Sequence, residues 1–517
     1  MFADDLDLRP ALSTLRGVKV IATLLVLAAS SCGSAPPPAP APAPAPAPPP
    51  VAKPPSLTGI WLGTLDAGGP KLRVQLHLDL AATPAGCSLD SLDQQAMGIP
   101  CDVASKEPLT LQVPLVHGGF EGTSSTDGNT VTGTFTQGGM KMPLVLTRQA
   151  KAVEAAKIAM DPDMPPVAID KLQAVLDKDL EKLLAGELAP ATGVGVTIGV
   201  IAHGTRKVWS YGSVKPDSVF EIGSVTKTFT GLVLAQLVEQ KKVKLDEPVR
   251  TLLPKDTVAA PAAGPEITLL DLSAQRSGMP RMPDNFKPAD LANPYADYDK
   301  KLLYAFVASH GVALPAKPEF GYSNLGVGLL GQALAERAGS TYEALVTREV
   351  LAPLGMKDSG ITLTPALTKR FAAGHAEKNA AQRAWDLGAL GGAGAIRSTA
   401  ADMLTYLDAQ LHPDHVRAKS AEAKTLAAAI TASHQIQSEA GGGMHIALNW
   451  FRIDATGSFW HNGATGGYSS FVMFNPDQDL AVVVLCNRSV DDGALSDDLG
   501  KHVIARLTGK PAETISE

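Results

Sequence analysis

A run of alanine and proline from residue 35 to residue 55 most constrains how this chain can fold. It carries 12 of the 39 prolines of the sequence. Such a tract lacks the large apolar side chains of a core and favours extended polyproline II backbone. At ~3.1 Å per residue it would reach about 65 Å. We therefore predict that residues 33–55 are an extended linker, and that stable folding begins on its C-terminal side.

The segment before this linker has the plan of a secretory signal peptide. Residues 18–29 are apolar, Arg16 and Lys19 stand at their start, and small residues follow. The stretch is shorter than the ~20 residues of a membrane-spanning helix. It ends in Leu-Ala-Ala-Ser-Ser-Cys32, which resembles a bacterial lipobox, although Ala29 stands where leucine is preferred.

Residues 1–32 are accordingly predicted to be a signal peptide with a lipobox, and Cys32 to be the lipid anchor. The protein would then be exported to the periplasm and held at a bacterial membrane by its N-terminal lipid. Plain cleavage without lipidation is the alternative interpretation.

Composition indicates a globular chain with two domains. The 517 residues are 45% hydrophobic and 19% charged, which excludes a mainly disordered protein. The net charge of −7 provides no basic surface, so nucleic acid is not an expected partner. No protein partner can be inferred, and the expected partner is a small-molecule or peptide substrate.

The cysteine and histidine pattern predicts no metal site. The four cysteines include no Cys-x-x-Cys pair, and the chain has no His-Glu-x-x-His motif. His412 and His415 bracket a proline, for which a surface turn is the simpler interpretation. Cys87 and Cys101 lie in one predicted long loop, where a possible disulfide would close a ring of about 15 residues worth ~3 kcal/mol. The sequence does not give the geometry that decides whether it forms.

Residues 56–148 are predicted to form a small all-β module. Residues 72–80 alternate apolar and polar side chains without a break, as in a strand with one buried face. Similar runs occur at 59–65, 109–113, 130–136 and 143–147, separated by turn signals. Residues 117–119 and the Asp90/Asp93 pair are interpreted as turn and loop residues, so the module has no assigned function.

Residues 165–508 are predicted to form an α+β domain with an antiparallel sheet built from both ends of the chain. Strand-like runs open it at 195–202 and 207–211 and return only at its end, with helix and loop between. The late runs and the closing amphipathic helix are residues 446–453, 458–461, 468–474 and 481–486, then Leu495, Leu499, Val503, Ile504 and Leu507.

Ser224 and Lys227 are the first pair of residues that could carry chemistry. A helix would place these two positions on one face, with Cβ atoms ~5–6 Å apart. A serine hydroxyl becomes a good nucleophile when a base takes its proton, and a desolvated lysine with a lowered pKa can serve. Ile222 stands where a Gly-x-Ser-x-Gly motif needs glycine, which disfavours a nucleophile-elbow hydrolase.

Two further motifs follow in the same domain. Tyr322 and Asn324 form the only Tyr-x-Asn of the chain, just before an apolar helix. A tyrosine beside a lysine can share its proton, and an asparagine amide can both donate to and accept from a substrate amide. His461 precedes Gly463 at a strand end, where a glycine lets substrate backbone approach closely.

In this order, the three motifs resemble those of the penicillin-recognising serine hydrolases: class C β-lactamases, DD-carboxypeptidases and family VIII esterases. The resemblance covers about residues 167–507, with support from residues 270–279, 354–358 and 391–400. It implies an antiparallel sheet flanked by helices, together with a mainly helical subdomain. It also implies catalysis without a metal or an organic cofactor.

The resemblance implies a role for each residue of the three motifs. Ser224 would be the acylated nucleophile, Lys227 its proton-handling neighbour, and Tyr322 the general base that activates the deacylating water. Asn324 would contact the substrate amide beside His461 and Gly463. The backbone N–H groups of Ser224 and Ala464 would form the oxyanion hole, and such a donor is worth ~10²–10³ in rate in other serine hydrolases.

Two departures from the family pattern bear on the substrate. Most class C β-lactamases have lysine at the position of His461, and Thr226 replaces a usual serine or alanine. If His461 bound a substrate carboxylate as imidazolium, that binding would weaken as pH rises.

The expected substrate is a β-lactam or a D-Ala-D-Ala-type amide. A carboxylesterase or amidase of the same mechanism and a covalent penicillin-binding sensor without turnover are the alternatives. An intact Tyr322 argues against the sensor, because a deacylation base has little purpose without turnover.

Overall fold

The computed structural model describes most of the chain after the alanine–proline tract. The described residues are 56–65, 72–92, 96–114, 118–137, 140–153, 165–376, 379–417, 423–489, 495–511 and 515. The predicted signal peptide, the Cys32 anchor and the linker therefore lie outside the described residues. Within the described ranges, we find no helix with the length and apolar character to cross a membrane.

Nine antiparallel strands form the all-β region that precedes the larger domain, which confirms this part of the predicted fold. Their order across the sheet is β4-β3-β2-β1-β9-β8-β7-β6-β5. The strands are β1 (Gly59–Leu65), β2 (Leu72–Asp79), β3 (Gly86–Ser91), β4 (Ala96–Pro100), β5 (Asp102–Lys106), β6 (Leu109–Val113), β7 (Gly118–Ser124), β8 (Thr130–Gln137) and β9 (Met140–Gln149). Trp61, Val131 and Leu146 are among the side chains buried on the inner face of this sheet.

The long loop predicted around the two cysteines is wrong. Cys87 lies on β3 and Cys101 directly follows β4, and the two residues form a disulfide. Asp90, predicted to be a loop residue, is buried on β3 and lies 2.7 Å from His77 Nε2. Strand β3 is short and half polar, so apolar alternation does not reveal it. Backbone pairing of β3 with β2 on one side and with β4 on the other defines these strands instead.

A second strand of the module was also predicted to be a turn. Gly118 and Gly119 begin β7, which pairs with β6 and β8. His117 and Asp93 lie outside the described residues.

The larger domain contains an eight-stranded antiparallel sheet that takes strands from both ends of the domain, as predicted. Its order is β11-β10-β21-β20-β19-β18-β17-β16. The strands of this domain are β10 (Gly195–Ala202), β11 (Thr205–Gly212), β12 (Phe220–Glu221), β13 (Gly374–His375), β14 (Ala381–Gln382), β15 (Arg397–Ser398), β16 (Ser438–Gly441), β17 (Met444–Ile446), β18 (Phe451–Ile453), β19 (Phe459–Ala464), β20 (Ser469–Asn475) and β21 (Leu480–Cys486). The single strand predicted at 446–453 is wrong, because residues between β17 and β18 turn the chain back on itself and Ala447 N–H donates to the Trp450 carbonyl.

Thirteen helices are described in this domain, and they confirm the mainly helical middle. They are α1 (Ile169–Asp179), α2 (Glu181–Ala185), α3 (Thr226–Glu239), α4 (Leu269–Ser273), α5 (Lys300–His310), α6 (Asn324–Arg337), α7 (Tyr342–Val346), α8 (Ala352–Leu354), α9 (Pro365–Thr368), α10 (Ala400–Leu411), α11 (Pro413–Arg417), α12 (Ala423–Ser433) and α13 (Leu495–Thr508).

Strand β21 shows how the sheet separates two cores. Successive side chains of a strand point to opposite faces. Val482 and Val484 pack with Leu499 and Val503 of α13 on one face. The intervening residues of β21 pack on the other face, with α3 and α10. The continuous apolar run of β21 therefore reflects burial on both sides, and α3 lies in the middle of the larger core.

Candidate active site

Ser224 lies at the start of a deeply buried helix, α3. It belongs to a single 3-10 turn, Gly223–Val225, which continues directly into α3. α3 is buried on nearly every side, as expected for a helix enclosed by other elements. Lys227 follows in the first turn of α3, and its Nζ lies 2.8 Å from Ser224 Oγ. The predicted pairing of these two side chains is thus present.

The surroundings of Lys227 favour an uncharged amine. Its side chain is fully buried, and Nζ donates a hydrogen bond to the Ala393 carbonyl at 2.8 Å. Burial lowers the pKa of Lys227 well below its ordinary value, and the charge of Arg281 lowers it further. In its neutral form the amine has a lone pair with which to accept the Ser224 proton.

Tyr322 lies on the other side of the same hydroxyl. Burial raises the pKa of Tyr322 to about 12, although a hydrogen bond with Ser224 and the charge of Arg281 oppose the rise. Lys227 Nζ lies 4.9 Å from the centre of the Tyr322 ring. The resting tyrosine is therefore a protonated phenol, and the three predicted catalytic residues form one contiguous group.

A loop ahead of α6 fixes the position of Tyr322. The backbone N–H of Ser323 donates to Gln275 Oε1 at 2.7 Å, and that of Gly321 donates to the Gln275 carbonyl. Ser323 also caps α6 by accepting a hydrogen bond from Gly326 N–H at 2.8 Å. These bonds hold Tyr322 at the beginning of a buried helix.

His461 lies on β19, close to the tyrosine. The two ring centres are 6.3 Å apart, and His461 is almost completely buried. Its Nδ1 lies 2.6 Å from the carbonyl oxygen of Asn462, so Nδ1 carries the proton that is donated to this acceptor. Burial lowers the pKa of His461 to about 3. The imidazolium considered from the sequence is therefore disfavoured, and the ring is neutral near pH 7.

Two glycines allow the backbone of β19 to approach the nucleophile. A Cβ on Gly463 would lie 2.8 Å from Ser224 N and 2.2 Å from the Ile222 carbonyl oxygen. A Cβ on Gly223 would lie 2.7 Å from Ala464 N, and Gly223 has a φ of +49°. The backbone at Ser224 and Ala464 is thereby brought together, as an oxyanion hole made by these two N–H groups requires.

Ser224, Asn324 and Ala464 line one cavity. The Oδ1 atom of Asn324 is buried and accepts no hydrogen bond from protein. A buried amide oxygen without a partner is costly unless a ligand or water satisfies it. The Asn324 amide oxygen is therefore available to accept a hydrogen bond.

The departure at Thr226 has a structural explanation. Its side chain is buried in α3, and Oγ1 accepts a hydrogen bond from Ile396 N–H at 3.1 Å. Thr226 thus holds the segment that supplies the Ala393 carbonyl to Lys227.

Two contributors to the site were missed from the sequence. Ala393 acts through its backbone carbonyl, which no side-chain motif reveals, although its glycine-rich segment was noted. Arg281 Cζ lies 5.2 Å from the centre of the Tyr322 ring. No described carboxylate pairs with this exposed guanidinium. The Arg281 carbonyl also accepts a hydrogen bond from Asn324 N–H at 3.1 Å. The two residues are far apart in the chain, so the spacing of motifs could not predict this contact.

Comparisons with known proteins identify the family of the larger domain. A family model described as Beta-lactamase matches residues 180–505. The D-alanyl-D-alanine-carboxypeptidase/endopeptidase AmpH of Escherichia coli (strain K12) is 27% identical over 335 residues, covering 61% of this chain and 84% of AmpH. A beta-lactamase of Pseudomonas fluorescens is 26% identical over 364 residues, which cover 62% of this chain and 94% of that enzyme. Penicillin-binding protein 4 of Amycolatopsis lactamdurans is 25% identical over 356 residues, which cover 65% of this chain and 85% of that protein.

The antiparallel sheet, the helical subdomain and the Ser224–Lys227 pair together define the class of penicillin-recognising serine hydrolases. The family model covers more than half of the chain. The chain belongs to the Beta-lactamase family, which confirms the resemblance drawn from the three motifs.

Proposed function

We propose that this protein hydrolyses a β-lactam or a D-Ala-D-Ala-type amide through an acyl-enzyme at Ser224. The observation that carries the proposal is the 2.8 Å separation of Ser224 Oγ from Nζ of the buried Lys227. A nucleophile and a base within hydrogen-bond reach are the minimum for acyl transfer. The similarity to a carboxypeptidase, a beta-lactamase and a penicillin-binding protein supports this substrate class.

Acylation begins when the neutral Lys227 amine takes the hydroxyl proton of Ser224. Oγ then bonds to the substrate carbonyl carbon, and the N–H groups of Ser224 and Ala464 stabilise the resulting oxyanion. Tyr322 gives its phenol proton to the leaving nitrogen as the C–N bond breaks. The Lys227 ammonium returns a proton to the tyrosine oxygen, which leaves both groups as they started.

Deacylation uses the same groups in the reverse direction. A water molecule attacks the Ser224 ester and passes a proton to the Tyr322 oxygen as the phenol proton moves to Lys227. When the tetrahedral intermediate collapses, the bond to Oγ breaks and Ser224 recovers a proton from this relay. Tyr322 is thus the general base in this step, with Lys227 as the acceptor that makes a phenol of high pKa usable.

Arg281 supplies the positive charge that the neutral His461 does not. Its guanidinium lies over the Tyr322 ring, and its backbone carbonyl accepts a hydrogen bond from Asn324 N–H. We propose that it attracts an anionic group of the substrate. His461 would instead contribute through the lone pair of Nε2, because Nδ1 carries the proton.

The neutral state of His461 also supports a second candidate function. An ester hydrolase of the same mechanism needs no cation to bind a substrate carboxylate. The choice between amide and ester substrates therefore depends on measurement.

The decisive experiment compares three substrates side by side. We expect turnover of a chromogenic cephalosporin or release of alanine from a D-Ala-D-Ala peptide to exceed hydrolysis of a short nitrophenyl ester. Intact-mass analysis after incubation with a penicillin should show one covalent adduct, on Ser224. Ser224→Ala should lose both the adduct and turnover.

Ser309→Ala is the matched control, because Ser309 is an exposed serine of α5 whose hydroxyl bonds only a helix carbonyl. An adduct that persists in Ser224→Ala would refute the nucleophile. A stoichiometric adduct with no turnover of any substrate would favour the penicillin-binding sensor, and ester hydrolysis alone would favour the esterase.

We further propose export and attachment to a bacterial membrane through a lipid on Cys32. The support is the charged, apolar and small-residue order of residues 16–32. Metabolic labelling with a fatty-acid analogue tests this proposal, and Cys32→Ala should abolish the label.

A further inference from the structure

A cluster of two histidines and two carboxylates lies outside the residues used for hydrolysis. Asp408 is in the last turn of α10, His412 follows that helix, and His415 is in α11. Asp479 ends the turn between β20 and β21. Three separate elements therefore contribute, and none of these side chains has a role in the proposed mechanism.

The three side chains from α10 and α11 are spaced for a metal ion. One potential ligand atom of each of Asp408, His412 and His415 lies within 4.8 Å of the other two. The two histidine rings have centres 4.6 Å apart and are tilted by 30°. Metal–ligand bonds of about 2.0–2.2 Å place neighbouring ligand atoms roughly 3.3 Å apart. Small side-chain rotations would close the remaining gap.

The ring of His412 lies between two carboxylates. Its Nδ1 is 3.1 Å from Asp408 Oδ1, and its Nε2 is 2.9 Å from Asp479 Oδ1. A neutral imidazole has only one N–H and can donate to only one of these oxygens. Asp479 Oδ1 is buried, so its contact with His412 is shielded from water. The arrangement therefore has more acceptor oxygens than donors, which a bound cation would correct.

Arg206 accounts for only part of the negative charge. Its guanidinium lies 2.9 Å from Asp408 Oδ2. That contact orients the carboxylate and leaves Oδ1 facing His412. A carboxylate that supports a histidine or is itself held by a neighbour is the usual surrounding of a protein metal site.

We propose that Asp408, His412 and His415 bind one divalent transition-metal ion of the Zn²⁺ or Ni²⁺ class. Asp479 supports the His412 ring from its other side. Imidazole nitrogens with a carboxylate favour these ions over Mg²⁺ and Ca²⁺, which prefer oxygen ligands. The ion would connect the end of α10 to the turn that leads into β21, and so stabilise the contact between this helix and the sheet.

Zinc titration of the untagged, chelator-treated protein tests this site. We expect calorimetry to show one Zn²⁺ per chain and thermal unfolding to shift to higher temperature with added zinc. Replacing zinc by Co²⁺ should give a visible absorption spectrum typical of histidine ligation. His412→Ala and His415→Ala should each weaken zinc binding by more than ~10-fold, and Asp479→Asn by ~10–100-fold.

His445→Ala is the matched control, because His445 is also a surface histidine beside a carboxylate, with Nδ1 2.8 Å from Asp454. The His445→Ala variant should bind zinc with the same affinity as the unmodified protein. Since His415 is exposed, its variant should fold even if His412→Ala does not. The proposal fails if the unmodified protein binds no zinc at a 1:1 ratio, or if His415→Ala binds it with unchanged affinity.

Discussion

The amino group of Lys227 lies between the hydroxyl of Ser224 and the carbonyl of Ala393, at 2.8 Å from each oxygen. The carbonyl can only accept a hydrogen bond, so one N–H of the lysine is committed to it. This fixes the direction of the remaining lone pair or N–H toward Ser224. The geometry of the nucleophile thus depends on a backbone group far away in the sequence.

Replacing Lys227 by methionine should separate catalysis from stability. We expect Lys227→Met to lower kcat/KM by ~10²–10⁴, because the proton acceptor is lost. The folded-state pKa of Lys227 is lowered, so between that pKa and the ordinary value the unfolded chain binds a proton that the folded protein does not. The free energy of unfolding therefore rises with pH from the folded-state pKa up to the ordinary value near 10.5.

The variant should show a flatter stability profile over this window, measured by guanidinium unfolding between pH 7 and 10. Equal slopes for the two proteins would mean that Lys227 is charged in the folded state.

Tyr322→Phe should still allow slow acylation, because water or the Lys227 ammonium can replace the phenol as proton donor to the leaving nitrogen, but it should stall deacylation. The general base of the second step is lost, which typically costs 10²–10⁴-fold. Mass spectrometry during turnover should show the acylated enzyme accumulating, together with a burst of product in stopped-flow. Unchanged steady-state rates would leave Lys227 as the sole base.

The pH dependence of substrate binding should not reflect titration of His461. Its pKa of about 3 lies far below the assay range. Profiles of kcat/KM between pH 5 and 8 for an anionic and a neutral substrate should therefore be parallel. A selective loss of the anionic substrate as pH rises through 6–7 would show that the imidazolium forms after all.

Arg281→Gln should raise KM for an anionic substrate by about 2–5-fold, the range of an exposed ion pair, and leave KM for a neutral ester unchanged. Lys317→Gln is the control, because Lys317 is an exposed cation that already pairs with Glu319 at 2.9 Å. The same change in KM for both substrates would indicate that Arg281 acts only on the position of Tyr322.

Removing residues 56–148 should leave the larger domain folded and active on small substrates. The apolar cluster of the all-β module is formed from residues 57–146 alone. Removing the module therefore does not expose the apolar cores of the larger domain. Soluble expression and kcat/KM of the shortened protein are the measurements, and insolubility would show that the module and the larger domain depend on each other.

Local sequence was enough to predict the main strands and the closing helix of the larger domain. The apolar run of β21 and the periodic positions of α13 both identify elements because their period matches the geometry of a strand or a helix. Short polar strands such as β3 were missed for the complementary reason. Their backbone bonds are made with residues distant in sequence, and their side chains carry little periodic signal.

The sequence by itself determined which side chains could perform acyl transfer, because Ser224 and Lys227 are close enough in the chain for helix geometry to join them. Only the tertiary structure decided whether the side chains of the site are charged. Burial of Lys227 and His461 disfavours their charged forms, and the charge beside Tyr322 comes from Arg281 on another loop. Desolvation and charge–charge interaction depend on everything packed around a group, and no motif contains that information.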